Sequence, residues 1–131
     1  MSEEAENGVL LVVEDDPEIS KVLATYGAKN GYEVHTAANG LDGVENAVAL
    51  RPDVILLDIA LPGLDGRDVM KRITDEGVTE DAVVIFLTAR DEQSDRLLGL
   101  ELGADDYETK PVHFQMLFRK VERLRAKKRG S

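Results

Sequence analysis

The feature that most constrains the fold of this chain is a set of three short apolar runs. The runs are Val9 to Val13, Val54 to Leu57 and Val83 to Leu87. Each has the length of a strand, is rich in branched aliphatic residues and has no polar residue on either face. This pattern is typical of a parallel strand that helices cover on both sides. The sequence therefore predicts a buried parallel sheet.

Segments with helical spacing lie between these runs. After the first run, Asp15–Asp16 can cap a helix (α1), Pro17 suits its first turn, and Asn30–Gly31 supplies a stop signal. The apolar stripe of this helix consists of Ile19, Val22, Leu23 and Tyr26. Their spacing of three and four residues is that of an amphipathic helix packed on a core.

The remaining chain continues this alternation. With the apolar runs as β1, β3 and β4, the other predicted elements are a strand from Tyr32 to Ala37 (β2), a helix from about Leu41 to Leu50 (α2), a helix from about Asp65 that ends before Gly77 (α3), a helix from about Asp91 to Leu102 (α4), a short strand from about Asp106 to Thr109 (β5) and a helix from about His113 to Lys127 (α5). Strict alternation of strands and helices implies right-handed crossovers in a parallel sheet. We therefore predict an α/β fold with a doubly wound, five-stranded parallel sheet and five helices.

Length and composition fit a single domain. A chain of 131 residues, 43% of them hydrophobic, can bury a core without disulfides, and the absence of Cys excludes thiol chemistry. The longest apolar run, Ala82 to Leu87, is too short to cross a membrane, and the acidic segment Met1 to Gly8 lacks the features of an export signal. We predict a soluble, cytoplasmic protein with a flexible acidic N-terminus (1–8), one domain (9–128) and a C-terminal tail (129–131).

Charge is distributed unevenly along the chain. The formal net charge is −10, yet positions 119–131 hold seven basic residues and only one acid, Glu122. The acidic body disfavours binding to nucleic acid, so we expect no direct DNA binding. The basic end is interpreted as a last helix whose cations complement the negative end of its dipole, with a docking or nucleic-acid tail as the alternative.

Polar side chains follow the predicted strands where each strand ends. Glu14 and Asp15 follow β1, Asp58 ends β3, Thr88 ends β4, and Lys110 follows β5. The carboxyl ends of the strands of a doubly wound sheet meet at one edge, where ligands bind. Crowded carboxylates suit Mg²⁺, and a nearby ammonium and hydroxyl can stabilise a phosphoryl group in transfer. Asp58, at the exit of the most central strand, is the best candidate for a nucleophile that forms an aspartyl phosphate.

Other polar residues have simpler interpretations. Asp16 precedes Pro17 and is explained as a helix cap. His35 and His113 have no partner at ligand spacing and are expected to be structural or solvated. The sequence contains no glycine-rich nucleotide motif and no serine-nucleophile motif, which argues against nucleotide binding and serine hydrolysis.

Four segments of this pattern resemble the receiver domains of two-component response regulators, the CheY-like family. The segments are Leu11 to Pro17, Pro52 to Pro62, Leu87 to Arg90 and Gly103 to Pro111. They occur in the family's order, and the resemblance extends over about residues 8–128. It implies a flavodoxin-like fold with the strand order 2-1-3-4-5.

The resemblance also implies a set of roles around a metal ion. Asp58 corresponds to the phosphoacceptor and also binds Mg²⁺. Asp15 corresponds to a direct metal ligand, Glu14 to an acid that acts through water, and the backbone carbonyl of Ala60 to the third protein ligand. The expected cofactor is thus Mg²⁺ alone.

A second set of implied roles concerns the response to phosphorylation. Lys110 corresponds to the ammonium that contacts the phosphoryl group, and Thr88 and Tyr107 to the switch pair. In such proteins a sensor histidine kinase or phosphotransfer protein donates the phosphoryl group, and the domain slowly dephosphorylates itself. The chain would then be a signalling switch and not a conventional enzyme.

The output surface of such a switch is expected to be α4-β5-α5. Its segments are most similar to the OmpR/PhoB type, whose members dimerise through this surface. Arg96, Glu101, Asp105 and Asp106 fit that interface, but on α5 only Lys120 does, while Met116 and Glu122 stand where charged partners are expected. We therefore predict a mainly monomeric chain that offers this surface, with Met116 and Phe118 nearby, to a different downstream protein. A dimer that forms on phosphorylation is the alternative.

Two departures and two rival functions complete the sequence-based interpretation. Val112 replaces the Phe that many family members have after Lys-Pro. Little chain follows α5, so an output domain is expected to be absent and the chain to be a single-domain regulator or an excised receiver.

One rival function is that of a phosphohydrolase with Asp58 as nucleophile, which would need an acid where Ala60 stands. The other is an interaction module that works without phosphorylation.

Overall fold

The structure, a computed structural model described for residues 6–88 and 102–130, contains one sheet of five parallel strands. The strands are β1 (Gly8–Val13), β2 (Tyr32–Ala37), β3 (Val54–Asp58), β4 (Val83–Thr88) and β5 (Asp106–Thr109). They lie in the order β2-β1-β3-β4-β5, and each neighbouring pair is parallel. The predicted fold and strand order are confirmed.

The helices alternate with these strands as predicted. They are α1 (Pro17–Lys29), α2 (Gly40–Leu50), α3 (Gly66–Asp75) and α5 (Phe114–Gly130), with a short 3-10 turn at Val78–Glu80. The predicted α4 falls outside the described residues apart from Leu102. Helix α5 extends further than predicted, so Arg129 and Gly130 belong to the helix and not to a tail. Among the helices of residues 6–88 and 102–130, none is long and apolar enough to cross a membrane.

Helix ends carry the caps expected from the sequence. The Asp16 side chain accepts hydrogen bonds from the backbone N–H groups of Glu18 and Ile19, at 2.9 and 3.3 Å. At the other end of α1, Gly31 adopts a φ of +88°, a left-handed conformation that glycine accommodates without steric cost. These two signals set the length of α1 and direct the chain back into β2.

The core has two halves, one on each face of the sheet. Alternate residues of the central strands point to opposite faces, so Leu11 and Leu57 pack towards α2 and α3 while Leu10 and Leu56 pack towards α1 and α5. Burial on both faces explains why these strands are continuously apolar. Two details differ from the predicted pattern: Val22 is 37% exposed, and Phe118, expected at the output surface, is only 6% exposed.

Candidate functional site

Asp58 lies at the carboxyl end of the most central strand and is almost fully buried, with an exposed fraction of 3%. One carboxylate oxygen, Oδ1, accepts a hydrogen bond from the Ala60 backbone N–H at 3.1 Å. The other, Oδ2, accepts a hydrogen bond from the Lys110 ammonium at 3.1 Å. A carboxylate is thus held in a fixed orientation at an edge where loops leave the sheet.

Two further acids approach Asp58 from the end of β1. Carboxylate oxygens of Glu14, Asp15 and Asp58 all lie within 4.8 Å of one another. Glu14 is buried, with an exposed fraction of 2%, whereas Asp15 is exposed. The predicted convergence of these acids is confirmed.

Glu14 is held from one side only. Its Oε2 accepts a hydrogen bond from the Asp16 backbone N–H at 3.0 Å. Its Oε1 is buried and receives no hydrogen bond among the described residues, although the Lys110 ammonium lies 3.0 Å away. The ammonium approaches outside hydrogen-bond geometry, so this oxygen is paired by charge alone and has unused capacity as an acceptor.

The electrostatics of the site follow from an excess of acid. Burial, and then the nearby Asp58 carboxylate, raise the pKa of Glu14 from 4.5 to about 7, against the opposing effects of the Asp16 N–H and the Lys110 ammonium. Burial alone would lower the pKa of Lys110, but the Glu14 and Asp58 carboxylates outweigh it and raise that pKa. Within the described part of the chain, one ammonium lies beside three clustered carboxylates, so the site is short of positive charge.

Thr88 and Lys110 reach this edge from neighbouring strands. Thr88 is the last residue of β4, is 1% exposed, and its carbonyl accepts a hydrogen bond from the Lys110 backbone N–H at 2.7 Å. The Lys110–Pro111 peptide bond is cis. Tyr107 lies on β5 opposite Phe86 and packs, partly buried, against the α2/α3 half of the core. The structure brings together Glu14, Asp15, Asp58 and Lys110, and it places Thr88 and Tyr107 on the adjoining strands.

Two glycines, Gly66 and Gly40, hold the loop that follows Asp58, and sequence reasoning missed both. A Cβ atom on Gly66 would lie 2.5 Å from the Asp58 carbonyl oxygen, and the Gly66 N–H donates to the Ile59 carbonyl at 2.8 Å. A Cβ on Gly40 would collide with the Leu64 carbonyl oxygen. Each glycine directly follows a helix cap. A glycine right after a predicted cap is the sequence pattern that could have identified both residues.

The donor set fits a hard divalent cation. Carboxylate oxygens of Glu14, Asp15 and Asp58, together with the nearby exposed backbone of Ala60, offer only oxygen ligands. Among the described residues, the buried Glu14 Oε1 lacks a hydrogen-bond donor and the site has an excess of negative charge, and a cation would relieve both. These residues therefore fit Mg²⁺.

Comparison with known proteins agrees with this geometry. The family model for the response regulator receiver domain matches residues 10–122. The transcriptional regulatory protein AfsQ1 of Streptomyces coelicolor is 44% identical over 108 residues, which are 82% of this chain and 47% of that protein. This chain thus spans about half the length of that relative.

Solved structures show the same fold. The receiver domain of the Francisella response regulator 1452 is 30% identical, with a TM-score of 0.83 over 92% of this chain and 98% of that one. A CheY-like receiver domain protein from Methanospirillum hungatei is 25% identical, with a TM-score of 0.85 over 92% of this chain and 95% of that one. The chain belongs to the response regulator receiver domain family, the signalling domains of two-component systems. The predicted resemblance is thereby confirmed.

Proposed function

We propose that this chain is a Mg²⁺-dependent phosphoacceptor switch in which Asp58 receives a phosphoryl group from a histidine kinase or phosphotransfer protein. The observation that carries the proposal is the buried Asp58 carboxylate, 3.1 Å from the Lys110 ammonium and within 4.8 Å of carboxylate oxygens of Glu14 and Asp15. An isolated structural acid would need neither a second nor a third carboxylate beside it.

The metal would be held by four groups of this chain. Asp15, Asp58 and the Ala60 backbone carbonyl are the proposed direct ligands, and Glu14 the acid that acts through water. When bound, Mg²⁺ supplies the positive charge that three carboxylates and an incoming phosphoryl group require. Lys110 supplies further positive charge from the protein itself. Its ammonium would stabilise the negative charge that develops on the phosphoryl oxygens during transfer.

The chemical step is a transfer between two nucleophiles. A carboxylate oxygen of Asp58 forms a bond to phosphorus while the phosphorus–nitrogen bond of the donor phosphohistidine breaks, and the electron pair of that bond returns to the imidazole. The product is a mixed anhydride on Asp58. Attack of water on the same phosphorus releases inorganic phosphate and regenerates the carboxylate, which is the proposed slow self-dephosphorylation. Since the substrate is the chain's own side chain, the protein is not a conventional enzyme.

We assign the response to phosphorylation to Thr88 and Tyr107. The Thr88 hydroxyl would bond the phosphoryl group, an interaction that exists only in the phosphorylated state and so shifts the equilibrium between two conformations. Tyr107, on the adjoining strand, would relay the change to the α4-β5-α5 surface, where a downstream protein binds. A cytoplasmic location would suit this role.

The central experiment uses acetyl phosphate as a small phosphodonor and intact-mass spectrometry as the readout. The wild-type chain should gain one phosphoryl group only when Mg²⁺ is present, and Asp58→Asn should gain none because the nucleophile is removed. Asp75→Asn, the same change at an exposed residue at the end of α3, is the matched control and should behave as wild type. Equal labelling of wild type and Asp58→Asn would move the phosphoacceptor elsewhere.

The relay has its own test. With beryllofluoride and Mg²⁺ as the stand-in for a phosphoryl group, NMR shifts around Tyr107 should change in wild type and stay unchanged in Thr88→Ala. A full set of shifts in the variant would contradict the proposed route. A wild-type chain that binds no beryllofluoride at all would instead favour a module that works without phosphorylation.

A further inference from the structure

A groove between α1 and α5 has a floor and a rim of different chemistry. Two adjoining cavities of about 380 and 120 Å³ share Phe118 as a lining residue. The aromatic rings of Tyr26, Tyr32 and Phe118 line the floor, and the cations Lys29, Arg119 and Arg129 line the rim. We call this surface the α1–α5 groove.

The aromatic rings of the floor contact further rings and a cation. Tyr26 stacks on Phe114 with 5.3 Å between ring centroids, and Tyr32 lies 6.4 Å from Phe118. The Lys29 ammonium is 5.7 Å from the centre of the Tyr26 ring. Tyr32 and Phe118 are only 7% and 6% exposed, so the half-buried Tyr26 supplies most of the aromatic surface that an apolar side chain in the groove would contact.

The rim cations differ from Lys120, Arg125 and Lys128 of α5 because they have no acidic partner among the described residues. Lys120, Arg125 and Lys128 each form ion pairs with acids outside α5. Lys29, Arg119 and Arg129, by contrast, are exposed and form no ion pair within residues 6–88 and 102–130. Of the described residues that line the groove, Glu122 is the single acid. The groove is thus locally basic on a chain whose net charge is −10.

The groove extends away from the phosphoacceptor site. Asn7 and Asn30, which line it, precede β1 and β2, whereas Asp58 ends β3 at the opposite, carboxyl edge of the parallel sheet. A ligand in the groove would therefore be expected to bind in both the phosphorylated and the unphosphorylated state.

We propose that the α1–α5 groove is a docking site for an acidic segment of a partner protein that carries an aromatic or large apolar side chain. Three unpaired cations would face the acids of the segment, and the aromatic floor would take its apolar side chain. Charge complementarity of this kind favours selection of the right partner and fast association. The proposal is independent of the phosphoacceptor function.

Two other occupants fit the charges less well. A long nucleic acid would extend over the acidic body of the chain, and its phosphates would be repelled there. A second copy that docked through the same groove by a two-fold axis would place like charges against each other, because such an interface brings the same surface patch to both sides. A short acidic segment avoids both problems.

The test uses a heptapeptide with a central Trp between two runs of three Glu residues. This chain contains no Trp, so Trp fluorescence and its anisotropy report on the peptide alone. We expect saturable binding to the full chain that weakens strongly between about 0.1 and 1 M salt, over which the Debye length falls from about 10 to 3 Å. Affinity should be the same for wild type and for Asp58→Asn.

Two variants separate a defined site from general attraction. Arg119→Glu and Arg123→Glu change the net charge equally, one turn apart on the exposed side of α5, but only Arg119 lines the groove. We expect Arg119→Glu to weaken peptide binding about tenfold and Arg123→Glu clearly less, since only Arg119 lines the groove and can pair directly with the peptide. Unchanged thermal unfolding of both variants would confirm that they fold normally.

Several results would overturn the proposal. No binding of the peptide, or equal losses in the two variants, would remove the defined site. Tighter binding of a single-stranded oligonucleotide of equal charge, lost in Arg119→Glu, would assign the groove to nucleic acid. A dimer in light scattering that Arg119→Glu dissociates would assign it to a second copy.

Discussion

The two edges of the sheet differ in how their acidic residues are paired with hydrogen-bond donors and cations. At the amino edge, Asp53 precedes β3, and its carboxylate accepts a hydrogen bond from the Val9 backbone N–H at 2.8 Å. The Arg125 guanidinium lies 3.7 Å from the same carboxylate and also donates to the Asn7 carbonyl at 2.7 Å. Asp53 thus has both a backbone donor and a cation.

A second pair repeats the arrangement before β5. The Asp105 carboxylate accepts a hydrogen bond from the Val84 N–H at 2.8 Å and lies 3.2 Å from the Lys128 ammonium. Lys128 also donates to the backbone carbonyls of Thr79 and Ala82, at 3.1 and 2.6 Å. These bonds connect the end of α5 to the segments before β4 and β5, so the amino edge stabilises the fold.

The carboxyl edge lacks this balance. Among the described residues, Glu14 and Asp58 share the Lys110 ammonium, the Asp15 carboxylate lies beside them, and one buried oxygen of Glu14 receives no hydrogen bond. An acid with its own donor and cation thus stabilises the fold at the amino edge, whereas acids that share one cation mark the edge where a ligand binds.

The largest effect is expected on Mg²⁺ affinity at the carboxyl edge. Asp15→Asn should weaken Mg²⁺ binding about 100-fold and Glu14→Gln about tenfold, because a direct ligand contributes more than an acid that acts through water. NMR shifts near Asp58 during a Mg²⁺ titration would measure both affinities. Equal losses in the two variants would contradict the assignment of the direct ligand.

At the amino edge, the largest effect is expected on stability. Lys128→Met should lower the free energy of unfolding by about 2 kcal/mol, because hydrogen bonds from a charged donor to Asp105 and two carbonyls are lost. Chemical denaturation would measure it. Lys71→Met, the same change at an exposed residue of α3, should stay within about 0.5 kcal/mol of wild type. Equal stability of the two variants would show that the Lys128 contacts at the amino edge do not stabilise the fold.

The sequence predicted the carboxyl edge better than the amino edge. Continuous apolar runs predicted the strands, and the polar residue at the end of each run is by construction at one edge of a parallel sheet, so Asp58 and Lys110 could be placed without coordinates. The Lys128 contacts span 23 to 49 residues along the chain. No local periodicity encodes contacts at such separations, and neither the helix dipole nor a docking tail, the two interpretations of the basic end of α5, predicts them.

Phe118 and Val22 show a second limit of sequence patterns. Both occupy plausible positions of an apolar helix face, yet Phe118 is buried and Val22 is 37% exposed. The spacing of apolar residues indicates that a helix has a buried face, but the width of that face depends on the neighbouring helix. Here α1 and α5 pack against each other, and this packing buries Phe118 beside Tyr32.

Replacing one aspartate by asparagine is expected to change the free energy of unfolding by a smaller amount, and in opposite directions at the two edges. Without divalent cations, Asp58→Asn should raise the free energy of unfolding by about 1 kcal/mol, because it removes one of three repelling carboxylates. Asp105→Asn should lower that free energy by about 1 kcal/mol, because it removes a paired one. Urea denaturation in the presence of a chelator would measure both changes. Changes of the same sign would refute the contrast between the two edges.

The smallest effect is expected in the oligomeric state. On the surface formed by β5 and α5, the Lys120 ammonium already contacts the Asp106 carboxylate at 3.4 Å, the Glu108 carboxylate and the Tyr107 carbonyl. A bridge from Lys120 to a second copy would have to compete with these contacts inside the same chain. The predicted partners Arg96 and Glu101 lie outside the described residues.

The rest of that surface offers a dimer little charge complementarity. Met116, 60% exposed, stands where an acidic partner was expected, and the exposed Glu122 where a basic one was expected. Because charged contacts across an interface select the partner more than they add affinity, their loss argues against self-association and leaves Met116 for a different protein. We therefore expect light scattering to give the mass of a single chain at micromolar concentration, with or without beryllofluoride and Mg²⁺. A shift to twice that mass on activation would contradict this expectation.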